Sequence, residues 1–136
     1  MTPSTTTYRR GDVVLVPFPF TDLTDIRQRP ALIISADWFN DSHQDLALAA
    51  ITSQIPATVS QAELMIPEAD RIAAGLPRAS MIRVGKVFAV HQMLVRRKLG
   101  LLSASVLSMF NEKLRLVLGL SIQTTPPVDN DADATE

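Results

Sequence analysis

Two apolar runs near the N-terminus, Val13 to Phe18 and Ala31 to Ser35, are short, rich in β-branched residues and bounded by Gly11, Asp12, Pro17, Pro19 and Pro30. Runs of this length and punctuation mark buried strands rather than helices. Pro17 and Pro19 have no backbone N–H to donate, so the first strand is expected to end there or to run along a sheet edge. Thr21 to Gln28 then reads as a loop, which puts Arg29 at the mouth of the second strand, where an anion-binding or catalytic side chain would sit. Leu46 to Thr52 is a third strand, with Asp37 to Asp45 as the polar connection before it. Glu63 to Ile66 is a weaker strand, Pro67 is placed to open a short helix toward Ala74, and Ser80 to Val84 and Val87 to His91 are two further strands separated near Gly85-Lys86. Short strands so closely spaced imply a mainly β fold, a small antiparallel barrel or compact curled sheet.

The clearest helix comes last. Ser103 or Ser105 can cap its start, Leu107, Phe110, Leu114 and Val117 fall on one helical face, and Gly119 can end it. That stripe is expected to pack on the sheet. With 136 residues the chain suits one domain, read as a lead-in over 1–8, a folded body over 9–120 and an acidic disordered tail over 121–136.

The formal net charge of −1 hides an uneven distribution. Setting aside Asp129, Asp131, Asp133 and Glu136 leaves ten acids against thirteen bases, so the body is mildly basic, which permits contact with nucleic acid without requiring it. The chain has no cysteine, which excludes disulfides, thiolate catalysis and Cys-type zinc sites. It has no apolar run long enough to span a membrane and no secretion-signal pattern at its start, in keeping with a cytoplasmic protein.

Nothing in the sequence resembles a Gly-rich phosphate loop, a metal-ligand cluster or a serine elbow, so no metal or cofactor is expected. His43 and His91 lack patterned partners and read as surface or strand-end residues. Trp38 and Phe39 read as core, and Arg96-Arg97-Lys98 as a solvated basic run. What remains for chemistry is arginine, threonine and serine near strand ends. Such a set suits RNA cleavage, where the substrate supplies its own nucleophile and arginine can fork onto the phosphate oxygens as charge develops.

Gly11-Asp12, then Arg29-Pro30-Ala31-Leu32-Ile33-Ile34, then Ile51-Thr52-Ser53-Gln54 resemble the MazF/PemK/Kid family of ribonuclease toxins, over a stretch from about Arg10 to Leu120. The resemblance implies an SH3-like antiparallel β-barrel with a C-terminal helix packed on it. It also implies a homodimer that cleaves single-stranded RNA without metal, leaving 2′,3′-cyclic phosphate and 5′-hydroxyl ends, and a cognate antitoxin that occupies the RNA groove. By motif, Arg29 resembles the catalytic arginine, Thr52 the threonine that stabilises the transition state, and Arg83 a second catalytic arginine. Ser53 and Gln54 are expected to touch the same phosphate or a base edge, and Thr21, Asp22 and Gln28 to line the substrate from the first loop. One departure stands out: Kid-like members carry an aspartate two residues after the second arginine, and here that place holds Gly85. A gyrase poison of the CcdB type, or a catalytically weakened binding module of the same fold, are the alternatives.

Overall fold

A computed structural model describes residues 7–19 and 26–120. The strands are β1 (Asp12–Pro19), β2 (Ile26–Ile33), β3 (Asp45–Thr52), β4 (Glu63–Met65), β5 (Met81–His91) and β6 (Arg97–Leu101). The helices are α1 (Asp37–Ser42), α2 (Glu68–Arg71) and α3 (Ala104–Leu118), with a short 3₁₀ turn at Gln92–Leu94. The strands form one antiparallel sheet in the order β4-β5-β3-β2-β1-β6. The mainly β architecture with a helix on the sheet is the expected one.

β6 pairs with β1 only from Asp12 to Leu15, so Pro17 and Pro19 have a ladder partner on the β2 side alone. The prolines therefore stand on a stretch of free edge, as their missing N–H requires. Asp12 is buried and its carboxylate meets Lys98 at 3.1 Å, which makes Lys98 a structural partner rather than part of a solvated run. Arg97 and Lys98 belong to a sixth strand that the polar sequence concealed.

Two further expectations are corrected. Val87 to His91 is not a separate strand: β5 runs unbroken from Met81 to His91, and a bulge lets Ala49 pair with Val87 while Ala50 pairs with Arg83. Val84, Gly85 and Lys86 are the surplus residues. A bulge bends its strand, and the second half of β5 curls over so that Phe88 meets Phe18 with ring centroids 4.7 Å apart. The stretch after Ser35 holds helix α1 rather than a plain polar connection, and Trp38 on it is 69% exposed instead of buried.

The sheet has two apolar faces. On one, Val13, Leu32, Ala49, Ile51, Ile82 and Val84 pack with Val106 and Phe110 of α3. On the other, Val14, Val16, Ala31, Ile33, Leu46 and Leu48 form a second cluster joined by Phe88, Val90 and Tyr8, so Tyr8 belongs to the fold and not to a loose lead-in. Ser103 caps α3 by accepting from the Val106 N–H, and Gly119 ends it in the left-handed region at φ 71°. Arg10 ties the ends together: its Nε donates to the Ile34 carbonyl and its NH2 to Asn111 Oδ1 on α3, each at 2.7 Å. Burial lowers its pKa from the usual arginine value, against the opposing pull of Asp37.

The gap between the sheet's end strands is bridged by the turn after α2, where the Leu101 N–H donates to the Ala73 carbonyl. Two glycines permit this approach. A Cβ on Gly100 would lie 2.2 Å from the Ala73 oxygen, and one on Gly75, itself at φ +75°, would lie 2.0 Å from the Leu99 oxygen. Both obstacles are backbone, so neither can swing away. Gly100→Ala is expected to destabilise the fold by about 1–3 kcal/mol, as overpacking does, measured by urea unfolding; an unchanged midpoint would show that the seam is slack.

Candidate functional site

Strand alternation decides which of the candidate residues meet. Arg29 pairs with Val16, Ala31 with Ala50, and Ala50 with Arg83. Paired residues share a face, as do residues two apart on a strand. Arg29, Thr52 and Arg83, from three strands, are thus turned to one side of the sheet, and they line one small pocket of about 100 Å³ with Phe18, Gln54 and Lys86. Arg29 is half-buried in mid-strand, not at a strand mouth, because β2 already begins at Ile26.

Lys86 was not singled out by sequence. The bulge turns it toward this pocket, its Nζ 5.4 Å from the centre of the Phe18 ring. The available signal was Gly85, the residue that departs from the Kid-like pattern and sits within the same bulge. The pocket therefore gathers three cations, two arginines and a lysine, with no carboxylate or histidine in its lining.

Thr52 has its hydroxyl oxygen engaged by the Gln54 N–H at 3.0 Å. This local turn fixes the oxygen and leaves the hydroxyl hydrogen to be donated elsewhere. On the other side of Thr52 a second hollow of about 440 Å³ is lined by Thr52, Gln54, Glu63 and Arg83. Glu63 pairs with Arg83 across the strands, and its pKa is lowered first by the Ser60 backbone N–H and further by the positive charge of Arg83. Glu63 is thus held as a carboxylate by the Ser60 turn, and it is a weak proton acceptor for the same reason.

Gln28 and Ser53 do not join Arg29 and Thr52 in the small pocket. Each is one residue out of phase, and they line a third hollow of about 450 Å³ instead. Ser53 therefore stands apart from Thr52, on the opposite face of the sheet. Thr21 and Asp22, and the loop stretch that holds them, lie outside the described residues, as do Asp25 and the acidic tail.

The histidines are structural. His91 caps the 3₁₀ turn by accepting from the Met93 N–H, and the His43 ring stacks on Phe39 at 4.1 Å. Among the described residues no group of three or more His, Asp or Glu side chains is placed to hold a metal ion, and no helix is long and apolar enough to cross a membrane.

Residues 9–118 match the family described as PemK-like, MazF-like toxins of type II toxin-antitoxin systems. The chain belongs to that family. The toxin has no match among curated proteins. Solved structures share its fold. An endoribonuclease in complex with its cognate antitoxin from a Mycobacterial species superposes with a TM-score of 0.70 at 16% identity, covering 85% of this chain and 98% of that one. A MazE-MazF structure from Deinococcus radiodurans gives 0.68 at 20% identity over 85% of the toxin and all of the other chain (100%). Toxin MazF-mt6 from Mycobacterium tuberculosis gives 0.66 at 16% identity over 82% and 99%.

Proposed function

We propose that this toxin is a metal-independent endoribonuclease that cuts single-stranded RNA by attack of the ribose 2′-hydroxyl on the adjacent phosphate. The observation that carries the reading is the convergence of Arg29, Thr52 and Arg83 from three strands on one small pocket, with Lys86 delivered beside them by the bulge. The family and the endoribonucleases among its structural neighbours support it.

In the proposed reaction the 2′-hydroxyl gives up its proton to solvent water as its oxygen bonds to phosphorus, the bond to the 5′-oxygen breaks, and the products are a 2′,3′-cyclic phosphate and a 5′-hydroxyl. Charge builds on the two non-bridging oxygens. Arg29 forks onto them, and the Thr52 hydroxyl donates to one of them from a position already set by its turn. Arg83 supplies the second cationic contact. The leaving 5′-oxygen needs a proton, and Lys86 is the one ammonium group lining the pocket to supply it. With glycine at position 85, that transfer does not run through an aspartate on β5.

The same reading has the toxin act in the cytoplasm as a homodimer held silent by a cognate antitoxin. Neighbouring toxins are captured with theirs. The experiment is digestion of a mixed single-stranded RNA by the purified toxin in EDTA, with product ends identified by mass. Cuts at an unchanged rate in the chelator, ending in cyclic phosphate, are expected. Folded protein that leaves every RNA intact overturns the reading.

A further inference from the structure

The bulge that brings Lys86 to the pocket also takes it out of the ladder. In the register of β3 with β5, Ala49 pairs with Val87 and Ala50 with Arg83, so Val84, Gly85 and Lys86 are left between the two pairs. The three part company there. Val84 is buried against the core that α3 closes, and a Cβ on Gly85 would meet Val117 Cγ1 of α3 at 3.6 Å. Lys86 alone of them lines the small pocket. A bulged residue lacks the ladder bonds that fix its neighbours, and lysine carries its charge at the end of a flexible four-carbon stem. Proton transfer needs that ammonium within hydrogen-bond reach of the leaving oxygen. A lysine placed in this way therefore needs a group to aim it.

Two aromatic rings stand where such a group is needed. Phe18 lines the same pocket, is only 8% exposed, and has its ring centre 5.4 Å from Lys86 Nζ, inside the range at which a cation is drawn to a ring. Phe88 meets the Phe18 ring at 4.7 Å between centres, with the planes inclined at 51°. Phe88 is itself seated in the ladder, opposite the buried Leu48. The Phe18 ring is thus braced from one side by a residue of fixed register and offered to Lys86 from β1. A ring attracts a cation without presenting an oxygen that competes for its proton.

We infer that Phe18 is a positioning residue: its ring, braced by Phe88, aims the Lys86 ammonium at the leaving 5′-oxygen. In the step it governs, the bond from phosphorus to the 5′-oxygen breaks, the electron pair goes to that oxygen, and the oxygen takes a proton from the ammonium. Solvent water then reprotonates the neutral amine. The inference rests on the ribonuclease reading with Lys86 as proton donor, and adds the group that holds this donor in place.

The test uses the full chain and two RNAs that differ in one atom at a site the wild type cuts: the natural RNA, and one with sulfur in place of the 5′-oxygen. A thiolate leaves without being protonated, because a thiol is far more acidic than an alcohol. A defect in proton delivery therefore disappears on the sulfur substrate, and a defect in holding the phosphate persists. Lys86→Met is expected to slow the natural RNA by about 10²-fold and the sulfur substrate little. Phe18→Leu is expected to slow the natural RNA about five- to tenfold, the scale of one cation–ring contact, and to cut the sulfur substrate at close to the wild-type rate. Phe18→Tyr, which keeps a ring, should cut both like wild type. Phe18→Leu added to Lys86→Met should cost nothing further, whereas Arg29→Ala should stay slow on both substrates. Should Phe18→Leu fail to fold, trifluorophenylalanine in place of Phe18 keeps the ring's shape and strips its face of negative charge, and the same loss confined to the natural RNA is expected.

If the Phe18 variant remains slow on the sulfur substrate, or slows Lys86→Met as much as it slows the wild type, Phe18 is only a wall of the pocket and the inference is overturned. The ribonuclease reading then still stands on cleavage lost in Arg29→Ala. Wild-type cleavage of the natural RNA by Lys86→Met overturns the inference in the same way. A folded wild type that cuts neither substrate overturns both.

Discussion

Arg29→Ala is expected to lower the rate of RNA cleavage by about 10²–10³-fold or more, the usual effect of deleting one group that stabilises developing charge. The loss should fall on turnover, while the protein still unfolds cooperatively. Half-buried Arg29 lines the small pocket with Thr52 and Arg83, so the truncation removes one of that pocket's two arginines. Arg29→Lys should recover little, because an ammonium cannot fork onto two oxygens of one phosphate. A variant that keeps more than a tenth of wild-type cleavage would move the principal phosphate contact to Arg83 or Lys86. Expressed in cells, the same variant also separates mechanisms: growth arrest that persists without Arg29 would point to poisoning that involves no RNA cleavage.

Phe110→Ala is expected to cost about 3–5 kcal/mol, the range for truncating a buried aromatic side chain. Phe110 is fully buried, the largest such side chain among the described residues, and belongs to the cluster that joins α3 to Val13, Leu32 and Ile82. Domains of this size have only about 5–15 kcal/mol of stability to lose, so thermal unfolding should move down by roughly 10–25 °C. Circular dichroism would read this directly. Phe110→Leu, which refills most of the volume, should recover more than half of the loss. If the alanine variant melts within a few degrees of wild type, α3 is an appendage and not the closing wall of the core.

The elements legible in the sequence were those whose pattern carries a local cause. Pro17 and Pro19 marked a free edge because an imide nitrogen has no hydrogen to donate wherever it stands. Ser103, the stripe through Phe110, and Gly119 marked α3 because capping and burial act within a turn or two. The strand β6 was hidden because its five residues, Arg97 to Leu101, lie exposed or half-buried and show no apolar run. Its place is set by ladder bonds to β1 and by Asp12 reaching Lys98, neither of which has a local signature. The break expected at Gly85-Lys86 became a bulge for a related reason: glycine shows that a strand can deform, while the partner strand decides whether it stops.

The candidate site divides along the same line. Residue types pointed only to arginine, threonine and serine as groups suited to a phosphorane, and the resemblance of the segments around Arg29-Pro30, Thr52 and Arg83 to the family's motifs selected those three. Which of them face each other depends on strand register, and a shift of one residue sends a side chain to the opposite face of the sheet. Register placed Gln28 and Ser53 on the opposite face from Thr52 and Arg83, and a bulge brought Lys86 to the small pocket. The sequence by itself determined that this is a mainly β domain of the toxin family, since strand runs, caps and the family's motifs reside in side chains and short-range patterns. The pocket that gathers Arg29, Thr52, Arg83 and Lys86 was decided only by the tertiary structure, because it is made by pairings between segments tens of residues apart.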